Sequence, residues 1–154
     1  MIELVVRRLL IDLETPFARR WCGGDAFLSA LFNALSMSFP VGEQFFIDAV
    51  KDGFKALSPE QQENFRAEVQ CFAGQEATHR RIHSLFNAQL AGQGLVNAWE
   101  VRAKARLALL EGADPRHALA ITAANEHFTA ILAEWILGTP ELFAGAERRL
   151  ATLW

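Results

Sequence analysis

The sequence predicts an all-α fold, a helical bundle, and three observations carry that reading. Two helix starts are written out in full. One is Ser58-Pro59-Glu60-Gln61, with serine as N-cap, proline at the first helical position and glutamine as the capping-box partner; the other is Asp114-Pro115. Eight positions, Phe65, Val69, Phe72, Glu76, His79, His83, Phe86 and Leu90, keep a strict four-three rhythm, which puts them on one helix seam facing a partner helix. No segment combines sustained strand alternation with hairpin turn residues.

The elements follow in order. Residues 1–24 read as an N-terminal arm, in which Leu4 to Leu13 fits either a short helix or an extended stretch and Thr15-Pro16 and Gly23-Gly24 mark turns. Residues 25–154 read as one helical domain. Asp25 caps a helix from Ala26 into Leu35, and Pro40 is expected to bend or break it. The helical pattern resumes from Val41 to about Leu57 and is apolar on nearly all sides, as a buried helix is. A long helix opens at Ser58-Pro59 and runs to about Ala91, on the order of 50 Å. Gly74 is expected to soften it midway, and Gly92-Gln93-Gly94 ends it. A third stretch covers Leu95 to Glu111 and a fourth Pro115 to about Leu137; after Gly138-Thr139-Pro140 a last short helix covers Glu141 to Trp154.

Composition narrows the function. At 154 residues, 51% hydrophobic and 21% charged, the chain is long enough to bury a real core and is neither disordered nor fibrous. A net charge of −3 gives no pull toward nucleic acid or anionic lipid. The apolar N-terminus is interrupted by Glu3, Arg7, Arg8 and Asp12, so it is no signal-peptide core, and no uncharged run approaches membrane-spanning length. Cys22 and Cys71 are too few for a disulfide scaffold. The expectation is a soluble, cytoplasmic protein. Serine-hydrolase elbows, P-loops, dinucleotide fingerprints and H-E-x-x-H are all missing from the sequence.

The seam carries the chemistry. Glu76, His79 and His83 sit where apolar residues belong, between Phe72 and Phe86, and buried ionisable groups are expensive unless paired or coordinated to a metal. Two further acids lie on apolar faces: Glu43 among Phe39, Phe46 and Val50, and Glu126 with Leu119, Thr122, Thr129 and Ala133. Glu76-x-x-His79 spans one helical turn, so both side chains reach one point. Carboxylates from several helices with a Glu-x-x-His motif are the ingredients of a carboxylate-bridged dimetal site. The reading is a divalent metal held by Glu43, Glu76, His79 and Glu126, with iron or manganese favoured and zinc as the alternative. His83 is either a further ligand or a hydrogen-bond partner behind the ligands.

The run Ser36 to Phe46, with its FPVGEQFF core, followed by Gln75-Glu76-Ala77-Thr78-His79, His83 and Asn87, resembles the predicted metal-dependent hydrolase family, which is grouped with ferritin-like proteins. The resemblance runs from about Asp25 onward and implies a ferritin-like bundle with a metal site at Glu43, Glu76, His79 and Glu126. A full site of that type takes a second Glu-x-x-His from one more helix. Here only Glu134, Glu141 and Glu147 follow Glu126, and no histidine follows His127. The expected fold is therefore a ferritin-like bundle truncated by one core helix, or one completed by a second subunit.

The bland readings are a buried ion pair for Glu76 and His79, plain core for the phenylalanines, a structural role for His127, and solvated faces for His117, Arg80-Arg81 and Arg148-Arg149. Repulsion among three core carboxylates favours a cation over the ion pair. The expected function is a metal-dependent hydrolase acting on a small-molecule substrate, with a metal-activated water attacking an ester, amide or phosphate. The alternatives are an oxygen-activating di-iron protein and a non-catalytic helical assembly module. An apolar seam left by the absent helix predicts a homo-oligomer, with no nucleic acid and no membrane as partner.

Overall fold

The computed structural model describes residue 6 and residues 9–154. Among these the regular structure is helical throughout: α1 Ala26–Lys55, α2 Pro59–Gly92, α3 Ala98–Leu107, α4 Pro115–Leu137 and a short α5 Arg148–Ala151. The choice between helix and arm for Leu4 to Leu13 falls partly on residues 1–5, 7 and 8, outside the described residues; residues 9–13 are non-helical. The helix starts form as the sequence predicts. Asp25 accepts from Leu28 N at 2.8 Å, Ser58 and Gln61 close a capping box, and Asp114 accepts from Arg116 N at 2.9 Å.

Pro40 does not break the first helix. α1 runs unbroken for 30 residues with the proline inside it. A proline has no N–H, so the carbonyl four residues before it loses its helix donor. That carbonyl is Ser36 O, and the side-chain amide of Asn87, on α2, donates to it at 2.9 Å. Ser38 Oγ donates to Leu35 O at 2.7 Å and Asn97 Nδ2 to Met37 O at 2.8 Å, so the carbonyls on either side of Ser36 O also receive side-chain donors. Gly74 likewise leaves α2 continuous. The third helix begins later than expected, at Ala98, because Asn97 caps it by accepting from Glu100 N. The expected final helix is only a 3₁₀ turn, Pro140–Phe143, followed by α5.

α1 and α2 form the main packed pair. α1 carries Phe32, Ser36, Phe39, Glu43, Phe46 and Val50 in the same four-three rhythm as the seam of α2. The seam of α2 is not buried along its length: Phe65 is half exposed, Val69 and Phe72 are partly buried, and full burial is reached only at Glu76, His83, Phe86 and Leu90. The hydrophobic core lies around this second half, where Leu13, Phe17, Trp21 and Cys22 from residues 9–24 join Phe32, Phe86 and Leu150. Phe17 stacks on Phe86 at 4.9 Å between ring centroids, and Trp21 meets the same ring edge-on at 5.8 Å.

Arg149 departs from the solvated-face expectation. Its Nη1 donates to Asp12 O and Thr15 O, both at 2.8 Å, and its Nη2 to Pro16 O at 3.1 Å, so one guanidinium straps the N-terminal segment to α5. α4 packs against α1, and Gly53 permits the approach: a Cβ there would meet Leu119 Cδ1 at 2.6 Å. That contact brings the inner face of α4, with Glu126, toward Glu43 and Glu76. No helix among the described residues is long and apolar enough to cross a membrane.

Candidate metal centre

Three of the residues singled out from the sequence converge. Glu43 from α1 and Glu76 and His79 from α2 each offer one donor atom within 4.8 Å of the others. Glu43 and Glu76 are buried, whereas about half of the His79 side chain is exposed. The convergence follows from the paired rhythms: Glu43 and Glu76 occupy facing seam positions, and His79 lies one turn along from Glu76. His79 Nδ1 stands 3.5 Å from Glu76 Oε1. Glu126, half-buried on α4, lines the same cavity but lies outside this three-residue group.

The electrostatics of the group call for a cation. One Glu43 oxygen, Oε2, is buried with no hydrogen-bond partner. Burial, and then the neighbouring charge of Glu76, push the Glu43 carboxyl up to about 8, with Arg80 opposing and Glu126 adding to the rise. Glu126 is raised by burial and by Glu76, against the pull of His79. His79 is raised by its hydrogen bond to Glu76, against the effect of burial. Without a cation, protons on Glu43 and His79 must neutralise the cluster. A divalent ion does the same with hard oxygen donors and one imidazole, a donor set suited to manganese, iron or zinc. The orphaned Glu43 oxygen and the mixed donor set both fit such an ion.

The cavity beside the group has a volume of about 350 Å³, and apart from the acids and histidines its walls are largely apolar: Phe39, Phe46, Leu132, Ile136, Leu153 and Trp154. His83 lines it too, held in a different way from His79. Its Nδ1 lies 3.0 Å from Ser36 Oγ, and its ring packs against Phe39 and Trp154 at 4.6 and 5.5 Å. Burial, and then the nearby charge of His79, lower it to about 3, so it is neutral at ordinary pH. His117 and His127 are exposed and take no part.

Three contributors were not legible as such from the sequence. Ser36 bonds to His83 and is itself bonded to Asn87, and the charge of Arg80 partly offsets that of the acids at Glu43. The signal for the first pair was spacing: Ser36 lies two turns before Glu43 on one face of α1, and Asn87 one turn after His83 on α2. Arg80 gave no such signal, because its position on the helix reads as a flank.

Comparison with known proteins agrees with this chemistry. No curated protein and no solved structure matched the chain. The family described as predicted metal-dependent hydrolase matches residues 5–154. A group of two carboxylates and an imidazole suited to a divalent ion, in a chain matched over nearly all of its length, leads to one conclusion: the protein belongs to the predicted metal-dependent hydrolase family.

Proposed function

We propose that Glu43, Glu76 and His79, with Glu126 closing the group from α4, hold a divalent metal in a ferritin-like arrangement, and that the protein hydrolyses an ester or amide bearing an apolar group. The observation that carries this reading is the convergence of three donors within 4.8 Å around a buried, unpartnered Glu43 oxygen. Iron or manganese suits the oxygen-rich donor set best, with zinc as the alternative.

A divalent ion, when bound, supplies a Lewis acid that polarises a carbonyl and lowers the pKa of water. The residues of the chain do the rest. Glu43 and Glu76 supply the negative charge that retains the ion in a water-poor site. His79, half open to solvent, would hold the ion through a neutral ring nitrogen. Glu126, half-buried on the α4 wall of the same cavity, would supply the third carboxylate toward the ion. The Phe39, Phe46 and Ile136 walls exclude bulk water and seat the apolar part of the substrate.

The test is elemental analysis of the purified protein beside a Glu76→Ala/His79→Ala double variant, followed by an assay on 4-nitrophenyl esters of increasing chain length. Stoichiometric metal lost in the variant, with metal-dependent cleavage favouring longer acyl chains, is the expected result. A chain that takes up no metal even in excess ion contradicts the reading.

We also propose that the protein self-associates through α4. The outer face of that helix is apolar: Ile121, Phe128 and Trp135 repeat every seven residues, Ala124 and Ile131 lie between them, and Phe128 is 71% exposed. This is the seam of a two-stranded helical contact, and a second copy of α4 offers the matching face. The exposed area of these side chains is on the order of 400 Å² per copy, so pairing them buries at most roughly 800 Å² in total, the size of a weak, reversible contact.

A further inference from the structure

The backbone carbonyl left without its donor by Pro40 and the His83 ring are joined by a chain of hydrogen bonds in which every proton can be placed. Pro40 has no N–H, so Ser36 O is left without its helix donor. Asn87 Nδ2 fills that vacancy at 2.9 Å. A carbonyl only accepts, so the Asn87 nitrogen must face Ser36 O and its Oδ1 must face the other way. Oδ1 lies 2.8 Å from Ser36 Oγ, and an amide oxygen also only accepts, so the single hydroxyl proton of Ser36 goes to Asn87. Ser36 Oγ then has only lone pairs to offer His83 Nδ1 at 3.0 Å, and the proton of that contact must sit on Nδ1. The chain leaves one tautomer: Nδ1–H, with a lone pair on Nε2. With Nδ1 committed to the α1–α2 interface, Nε2 is the ring nitrogen left to the cavity that His83 lines.

We propose that Pro40, Asn87 and Ser36 act together as a tautomer lock on His83, making its Nε2 a permanent hydrogen-bond acceptor that orients the attacking water beside the Glu43–Glu76–His79 group. His83 is thus a positioning residue and not a fourth metal donor, in keeping with its place outside the three-donor group. Its strongly depressed basicity agrees: a ring that stays neutral cannot turn into a donor when a proton arrives nearby. Phe39 and Trp154 pack on the ring, which is buried, and leave it few competing polar partners. The lock also accounts for a proline in the middle of a long, packed helix, which otherwise only removes a backbone bond.

The orienting role rests on the hydrolytic reading; the tautomer does not, and the experiment reads the tautomer directly. Ring-nitrogen NMR of the full chain, without metal and then loaded with zinc, should show His83 Nδ1 protonated and slow to exchange and Nε2 unprotonated in both states. Pro40→Ala restores the backbone donor to Ser36 O, frees the Asn87 amide to turn over, and should transfer part or all of the His83 proton to Nε2. This variant removes a helix-breaking residue, so loss of folding does not obscure the result. Ser36→Ala should abolish the slowly exchanging Nδ1 proton. Nε2–H in the wild-type protein, an unchanged tautomer in Pro40→Ala, or a coordination shift at Nε2 on zinc loading would each overturn the proposal. A wild-type Nδ1–H tautomer in a protein that cleaves no ester leaves the lock standing and refutes only the hydrolytic reading.

Discussion

Glu76 and His79 stand one turn apart on α2 with Oε1 3.5 Å from Nδ1, yet the glutamate is buried and the histidine side chain is half exposed. The pair therefore straddles the boundary of the core: one donor anchors charge inside, and the other stands at the mouth, where an ion can enter. Glu43 completes the inner wall from α1.

Metal should stabilise this fold by mass action. At an ion concentration of one hundred times Kd the expected gain is about 2.7 kcal/mol, or roughly 5–10 °C in Tm. Calorimetry with manganese and with zinc, before and after chelation, measures it. The Glu76→Ala/His79→Ala variant should show no such rise.

Glu43→Gln should have opposite effects with and without metal. At pH 9 the metal-free wild type carries a buried carboxylate with an unpartnered oxygen, and the neutral amide should raise metal-free stability by about 1–3 kcal/mol. The same change removes a charged donor and should cancel most of the stabilisation by metal. Paired denaturant titrations check both signs; a variant less stable than wild type in both conditions contradicts the cation argument.

His83 predicts a specific acid sensitivity. Its pKa in the fold is about 3, against 6.5 unperturbed, because burial first and the His79 charge second disfavour the imidazolium. Its surroundings are the Ser36 hydroxyl and the Phe39 and Trp154 rings, with His79 the nearby charge. A depressed pKa means the native state refuses a proton that the unfolded chain accepts. Its contribution is present above pH 6.5 and is lost as pH falls toward 3. Between pH 7 and 4 the wild type should lose about 3 kcal/mol more stability than His83→Gln. Parallel stability curves for the two proteins would show that the ring is not held neutral.

Arg149→Ala should destabilise by about 1–3 kcal/mol, since three carbonyls lose a charged donor, while the exposed Arg148→Ala should stay within about 0.5 kcal/mol of wild type. Urea midpoints at an unchanged m-value report the difference.

Phe128→Glu should leave the monomer folded, because the side chain points away from the core, and should shift sedimentation from dimer to monomer at micromolar concentration. A wild-type protein that sediments as a monomer would refute the α4 interface.

Much of this was legible in advance for identifiable reasons. Ser58-Pro59 and Asp114-Pro115 set helix starts by local chemistry, and local chemistry survives in any tertiary context. Glu43, Glu76 and His79 were visible because a carboxylate or imidazole on an apolar seam breaks a pattern. Pro40 misled, because its cost is local but its remedy, Asn87, comes from a residue 47 positions away. Arg149 misled likewise: beside Arg148 it reads as a solvated pair, and only the return of residues 12–16 to α5 reveals its acceptors.

The sequence by itself determined that the chain is helical, where its main helices start, and which polar residues share a face with the core, since periodicity and capping act over one or two turns. Only the tertiary structure decided that Glu43 meets Glu76 and His79 within 4.8 Å, that Glu126 stays at the cavity wall, and that Ser36 and Asn87 assign the proton of His83. Those relationships depend on how α1, α2 and α4 are set against one another, and that is governed by contacts such as Leu119 on Gly53 and Asn87 on the carbonyl freed by Pro40. Such contacts join residues far apart in the chain, and no local pattern encodes their distance.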